Sequence, residues 1–268
     1  MIKFYPRKVD SANNNSPIIS NREIDEFALK VLADYKPGLL REPGKLNYQH
    51  FLESYLGMCI EYHDIYCDDP KRPILAMTAF QRGTINVFDE ENEDIETIVI
   101  EENTVILDNY LLKPGKEALA LFTGFHEGGH IMLHRGVYVG YLSEDYEYIP
   151  DDGLSAVICC RRENVESFGA GKKERSAAEW REHQADYFAG AIAMPNATLI
   201  PFANGLLREN GYYKGAVTLG RSEDLDILAE DILPDAISDV YGVSKRAARI
   251  KLRKSGLVLP GKAVGYSL

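Results

Sequence analysis

The sequence predicts an α+β fold, a small β-sheet packed against helices, on three observations. Apolar residues recur at helical spacing near the N-terminus, in the middle and through the last third of the chain. Between residues 58 and 107 the pattern changes to short runs rich in β-formers, separated by turn residues. The sheet thus falls between helical regions instead of alternating with them.

The elements follow in order. The first twenty residues, with Asn13-Asn14-Asn15-Ser16-Pro17 in their middle, read as a flexible arm. Ile24, Phe27, Ala28, Val31, Leu32 and Tyr35 form one face of a helix over 21–35, ended by Lys36-Pro37-Gly38. A short helix runs from the N-cap Asn47 to Gly57 and buries Phe51, Leu52, Tyr55 and Leu56. Strands are expected at 58–65 and 74–80. Gln81-Arg82-Gly83 reads as a hairpin turn into a strand at 84–88, and further strands fall at 96–100 and 104–107. Pro114-Gly115 precedes a long helix over 116–134, with Ala118, Phe122, Phe125, Gly129, Met132 and Leu133 on its apolar stripe. Residues 136–175 keep no period and read as a long loop or insertion with a short strand at 155–160; loops of that length are functional or disordered. Ser176 opens another helix through a capping box with Glu179, and Pro195 closes it. Residues 197–209, capped by Asn196, are helical, as are the last fifty residues, with the break Tyr241-Gly242-Val243-Ser244 between two helices.

Composition narrows the class. The 268 residues, 45% apolar and 26% charged, can bury a substantial core in one large domain or one domain plus a small appendage. No run approaches the roughly 18 apolar residues that span a bilayer. The N-terminus lacks the apolar core of a signal peptide, so the expected setting is cytoplasmic with no membrane partner. There, Cys59, Cys67, Cys159 and Cys160 are expected to be reduced core or loop residues. A net charge of −11 opposes non-specific attraction of the whole molecule to DNA. Residues 89–102 carry eight acidic and no basic groups, and 244–262 carry seven basic and no acidic ones. Both stretches read first as solvated surface.

The chemistry sits in Leu121–Gly136, LFTGFHEGGHIMLHRG, which holds three of the six histidines at four-residue intervals. His126-Glu127-Gly128-Gly129-His130 is an H-E-x-x-H motif on a helix. Histidines at i and i+4 share a face, so both imidazoles can reach one metal ion. Zinc accepts two such nitrogens and a third protein ligand, leaving a position for water, and Glu127 is placed to take that water's proton. Glycines 128 and 129 cost about 1 kcal/mol each in a helix; close approach of a neighbouring element would explain them. His134 is a first candidate for third ligand, but it lies about 12 Å along the axis from His126. Gly136, moreover, stands where the extended H-E-x-x-H-x-x-G-x-x-H pattern needs a histidine. A packing or outer hydrogen-bonding role suits His134 better. On the helix after Ser176, Glu182 is a stronger candidate ligand, with Asp186 one turn on to accept the outer N–H of a ligating histidine. Glu179 is its rival, although the capping box explains Glu179 without metal; His183 points elsewhere on the helix.

These stretches together resemble the ImmA/IrrE-type metallopeptidases. Phe122, Thr123, His126, Glu127, Gly129, His130 and His134 match the first family motif, and Glu182, Ala185, Asp186, Phe188, Ala189, Met194 and Pro195 the second. The resemblance covers residues 45–260 and favours Glu182 over Glu179. It implies a zincin-like fold over 1–215, followed by a helical, helix-turn-helix-like segment over 216–268. It also implies zinc as cofactor and cleavage of a specific intracellular regulatory protein, usually a helix-turn-helix repressor of a mobile element or stress genes. The 136–175 insertion is longer than the family pattern and could serve as a lid or substrate clamp. Tyr138, Tyr141 and Tyr187 are the candidates for stabilising an oxyanion.

The tail PDAISDVYGVSKRAARIKLRKSGL suggests a different class. If it read DNA, Lys245, Arg246, Arg249 and Lys251 would make the contacts. The chain would then be a weakly active or inactive zincin-fold regulator binding DNA or a repressor. Packing beside the catalytic domain, or contact with a repressor, is favoured over direct DNA binding, because Ala247, Ala248 and Ile250 give the tail an apolar face and the chain is acidic. A zinc hydrolase acting on a non-protein amide is a third reading.

Overall fold

The computed structural model describes residues 1–13, 15–71, 73–139, 157–161 (by backbone) and 176–261. The observed architecture is α+β. A four-stranded sheet has the order β3 (Cys59–His63), β7 (Thr104–Asp108), β4 (Ile74–Ala79), β8 (Val157–Arg161), with β3 parallel to β7 and the other pairs antiparallel. β4 is central and almost wholly buried, as its run of apolar residues requires. Strands β5 (Gly83–Asp89) and β6 (Asp94–Ile100) form a separate hairpin. Gln81-Arg82-Gly83 is therefore not a hairpin turn between paired strands: it leads from the sheet into this second ribbon, because β4 pairs with β7 and β8. The eight acidic residues of 89–102 are surface groups on or beside the ribbon, as expected.

Helix α1 (Asn21–Tyr35) starts at Ser20, whose hydroxyl accepts from Glu23 N–H while the Glu23 carboxylate accepts the Ser20 N–H. It buries Ile24, Phe27, Ala28, Val31 and Leu32, each contributing about 1.5–3 kcal/mol for the larger side chains. The short helix α2 (Tyr48–His50), capped by Asn47, runs on as a π-helical turn over Phe51–Tyr55, and Gly57 closes it at φ 70°. The long helix α3 (Glu117–Val139) continues past His134, since Val137 and Tyr138 are buried and no proline stops it. Helix α4 (Ala177–Ala193) begins with the expected Ser176/Glu179 capping box. In α5 (Asn196–Glu209) the cap position belongs to Pro195, not Asn196, which is already helical.

The first twenty residues, read from the sequence as a flexible arm, lie against the body. Val9–Asp10 (β1) pairs with Ser16–Pro17 (β2), Ser16, Pro17 and Ile19 are buried, and the Phe4 ring meets Phe27 edge-on at 4.9 Å. Of the 136–175 insertion, residues 136–139 belong to α3 and 157–161 form β8; the remainder, including Tyr141, lies outside the described residues. The C-terminal segment comprises α6 (Glu223–Ile227), a π turn over Leu228–Ile232, α7 (Leu233–Tyr241) and α8 (Lys245–Lys254). Gly242 turns the chain at φ 71° and Ser244 caps α8. Val217–Thr218 (β9) pairs in parallel with Val258–Leu259 (β10), bracketing the segment. Leu228, Leu233, Ile237, Tyr241 and Leu252 join the same apolar cluster as Phe27, Phe125, Phe188 and Leu199. Among the described residues, no helix is long and apolar enough to cross a membrane.

Helices α3 and α4 meet most closely at Gly129. A methyl there would lie 2.9 Å from Ala185 Cα and 3.1 Å from its carbonyl oxygen, backbone that moves only if α4 moves. At the exposed Gly136 of the same helix a methyl would meet nothing within 4 Å. Gly129→Ala should therefore destabilise the chain by about 1–3 kcal/mol through overpacking, while Gly136→Ala should stabilise it by about 0.4–1 kcal/mol. Urea denaturation of both variants checks this; equal responses would contradict the close packing.

Candidate metal centre

Helix α3 presents His126 and His130 on one face, and α4 crosses opposite with Glu182. Both imidazoles are fully buried, and their Nε2 atoms stand 3.0 Å apart. The Glu182 carboxylate reaches both, with Oε2 at 3.4 Å from His126 Nε2 and Oε1 at 3.3 Å from His130 Nε2. These three residues offer ligand atoms within 4.8 Å of one another and could hold a metal ion. The spacing fits the donor set: ligands about 2.0–2.2 Å from a tetrahedral ion sit roughly 3.3 Å from each other.

Asp186, one turn after Glu182, is the outer partner of His126. Its Oδ1 lies 2.8 Å from His126 Nδ1, so the carboxylate accepts that N–H and leaves Nε2 bare toward Glu182. Burial pushes the Asp186 carboxyl up, and the His126 bond pulls it back. His134 is also fully buried and does not join the ligand cluster: Nδ1 lies 3.1 Å from His130 Nδ1, and Nε2 lies 2.8 Å from Gln184 Oε1. Burial, then the neighbouring His130, press the His134 pKa well down, so its ring is neutral.

Glu127 is fully buried beside His126 and His130. Its Oε2 accepts from Thr78 Oγ1 of β4 at 2.5 Å, and its Oε1 has no hydrogen-bond partner among the described residues. Burial raises its carboxyl pKa against the pull of His126 and His130. The result is one anchored oxygen and one available oxygen on a carboxyl group shifted toward neutrality, suited to proton transfer.

The tyrosine candidates separate. Tyr138 stacks on Phe80 at 5.4 Å and accepts from Arg181 Nε at 3.0 Å, next to Glu182 in the chain. Burial pushes its phenol up while the guanidinium pulls it down. Arg181 is itself buried and also donates to Ser16 Oγ at 2.7 Å. Tyr187 turns instead toward α1, donating its hydroxyl to Asp25 at 2.8 Å. Glu179 does serve the capping box, and His183 is half-buried between the rings of Trp180 and Tyr187. Thr78, Arg181 and Gln184 were missed from the sequence: no motif marks Thr78 on its strand, and Arg181 and Gln184 flank Glu182 with no spacing signal of their own.

The basic tail is largely answered from within. Lys245 Nζ lies 2.6 Å from Asp235, and Arg249 pairs with Asp231 at 3.1 Å and donates to the Glu230 carbonyl at 2.6 Å. Lys251 is buried, 3.5 Å from Asp25 and over the Tyr187 ring at 6.0 Å. Arg246 is exposed. A DNA phosphate would have to displace those carboxylates from Lys245, Arg249 and Lys251.

No family model matches the chain, and no curated protein matches its sequence. Among solved structures, a Mycobacterium tuberculosis transcriptional regulator aligns over 90% of this chain and 48% of its own, at 15% identity and a TM-score of 0.38. The chain thus spans about half the length of that protein.

Burial, with the Asp25 hydrogen bond, raises the Tyr187 phenol above its ordinary value. In the unfolded chain it ionises near pH 10; the native state keeps its proton. Stability from this group is therefore full below about pH 10 and is lost as pH rises toward the folded pKa. In Tyr187→Phe the fall of unfolding free energy above pH 10 should be shallower, by up to about 1.4 kcal/mol per pH unit. Chemical denaturation at a series of pH values measures it; an unchanged slope would place the Tyr187 proton elsewhere.

Proposed function

We propose that the chain is a zincin-like metallopeptidase of the ImmA/IrrE type. His126, His130 and Glu182 are its metal ligands and Glu127 its general base. The observation that carries the reading is the ligand triangle, 3.0, 3.4 and 3.3 Å on its sides, beside a buried glutamate with one unengaged oxygen. Two imidazoles and one carboxylate are the donor set of catalytic zinc sites, so zinc is the metal we assign. When bound, it would supply the Lewis acidity that lowers the pKa of water and polarises the scissile carbonyl.

The chain's own residues do the rest. Glu127 Oε1 takes the proton of the attacking water and passes it to the leaving amine, while Thr78 holds Oε2 so that the carboxylate cannot swing away. Asp186 orients His126, so its ring faces the triangle in one tautomer. Tyr138, polarised by Arg181, is the tyrosine we favour for stabilising the oxyanion. The substrate we propose is a cytoplasmic helix-turn-helix repressor. That assignment comes from the family resemblance.

A second reading, a regulator binding DNA through the tail, has α7, Gly242 and α8 as its helix–turn–helix. A gel shift with the full chain separates it: sequence-specific binding would favour the regulator.

Metal content and cleavage test the proposal together. Wild-type chain purified without chelators should hold close to one zinc, and Glu182→Ala clearly less. Glu127→Gln should keep its zinc and lose hydrolysis of the repressor substrate by about 100-fold or more. Full cleavage by Glu127→Gln would sink the mechanism, and absence of zinc after zinc is offered would sink the site.

A further inference from the structure

Three hydrogen bonds run in series from the N-terminal ribbon to the metal centre, and their directions are fixed by chemistry. Pro17 has no N–H and offers only its carbonyl. The Gln184 atom 2.9 Å from that carbonyl is therefore the amide nitrogen, which settles which way the amide faces. Its oxygen is then the atom 2.8 Å from His134 Nε2. An amide oxygen only accepts, so His134 Nε2 carries a hydrogen. His134 is fully buried and touches no carboxylate among the described residues, so it is a neutral imidazole with one N–H and one lone pair. Its Nδ1 must accept. The neighbour of that atom, 3.1 Å away, is His130 Nδ1, which must donate. His130 therefore carries its hydrogen on Nδ1, and its Nε2 is free to face Glu182 Oε1 and His126 Nε2 as a lone pair.

We propose that Pro17, Gln184 and His134 form a proton-orienting relay that holds His130 in the Nδ1–H tautomer, so that a residue of the N-terminal ribbon sets the state of a metal ligand on α3. Asp186 does the same for His126 by a single charged bond; the His130 side reaches its anchor through neutral groups only. The relay also gives the buried ribbon a task. Ser16 and Pro17 pack between α3 and α4, where Ser16 receives Arg181 and Pro17 receives Gln184. Gln184, His134 and Pro17 are positioning residues: they act on the centre only through His130. The inference deepens the metallopeptidase reading and rests on it for the ligand role of His130, while the tautomer itself rests on the hydrogen bonds.

The test uses the full chain. Nitrogen-15 spectra of the metal-free protein, at a pH where exposed histidines are neutral, report which ring nitrogen of His130 is protonated. Competition with a chelating dye reports zinc affinity. Wild type should show His130 protonated at Nδ1. Gln184→Met, close in shape but without acceptor or donor, should populate the other tautomer and weaken zinc binding by about 10- to 100-fold. Gln184→Glu places a carboxylate against His134, so that ring takes a second proton and donates from Nδ1; His130 should then shift to the Nε2–H tautomer and zinc binding should again weaken, a response that loss of packing alone would not give. A bare Nδ1 in wild-type His130 overturns the relay, and so does Gln184→Met with unchanged tautomer and affinity. The wild-type spectrum decides the matter even where Gln184→Met fails to fold. A chain that shows His130 protonated at Nδ1 yet takes up no zinc supports the relay and defeats the metallopeptidase reading instead.

Discussion

The close approach of α3 and α4 at Gly129 is the constraint on which the centre depends, since neither helix carries a site alone. Two imidazoles come from one helix and a carboxylate from the other. Ligand distances must hold to about 0.2 Å for a metal to be bound well. Glu182 lies one turn from Ala185, the residue whose backbone abuts Gly129, so displacement at the crossing is carried directly to the Glu182 carboxylate. The neighbouring glycines meet other elements in the same way: a methyl at Gly128 would meet the Phe51 ring, and one at Gly124 the Tyr48 ring. Glycine inside α3 weakens the helix and permits the packing from which the centre is made.

Around that crossing, polar groups are buried in unusual density: His126, Glu127, His130, His134, Arg181, Gln184 and Asp186 all lie out of water. Burial without partners would be costly for each. Most are answered by one another or by hydroxyls and a carbonyl from β4 and the N-terminal ribbon. The marked exception is Glu127 Oε1, the atom assigned to proton transfer. A buried carboxylate oxygen with no partner among the described residues is where a reactive role is expected.

Much of this was legible in sequence because it is local. The limits of α1, the capping box of α4 and the i, i+4 histidines each depend on residues a few positions apart, and their expected geometry was found. Glu182 and Asp186 were legible as a pair on one helical face. Thr78, Gln184 and the N-terminal ribbon were not, because their roles arise between elements distant in sequence: Thr78 meets Glu127 across 49 positions, and Pro17 meets Gln184 across 167. A polar run such as Asn13–Pro17 resembles a disordered arm until its partners are known. The pairing of β4 with β7 and β8 was hidden for the same reason, since Gln81-Arg82-Gly83 specifies a turn but not which strands it joins. The basic tail was legible only in part: charge along α8 is visible in the sequence, but the carboxylates that answer it lie in earlier elements of the chain.

The buried contact of Lys251 with Asp25 and Tyr187 bears on how such a chain can change over time. The tail resembles a cassette, a helix–turn–helix that could be exchanged for another. Its innermost cation, however, is matched to an acid in α1 and a phenol in α4, and β9 and β10 fasten both of its ends together. A tail exchanged without those two counterparts would bring a cation with no acid to meet it, or leave an acid and a phenol without their cation. Three stretches of the chain are thereby bound to drift together, and the turn over Gly242 is inherited with the helices it packs against.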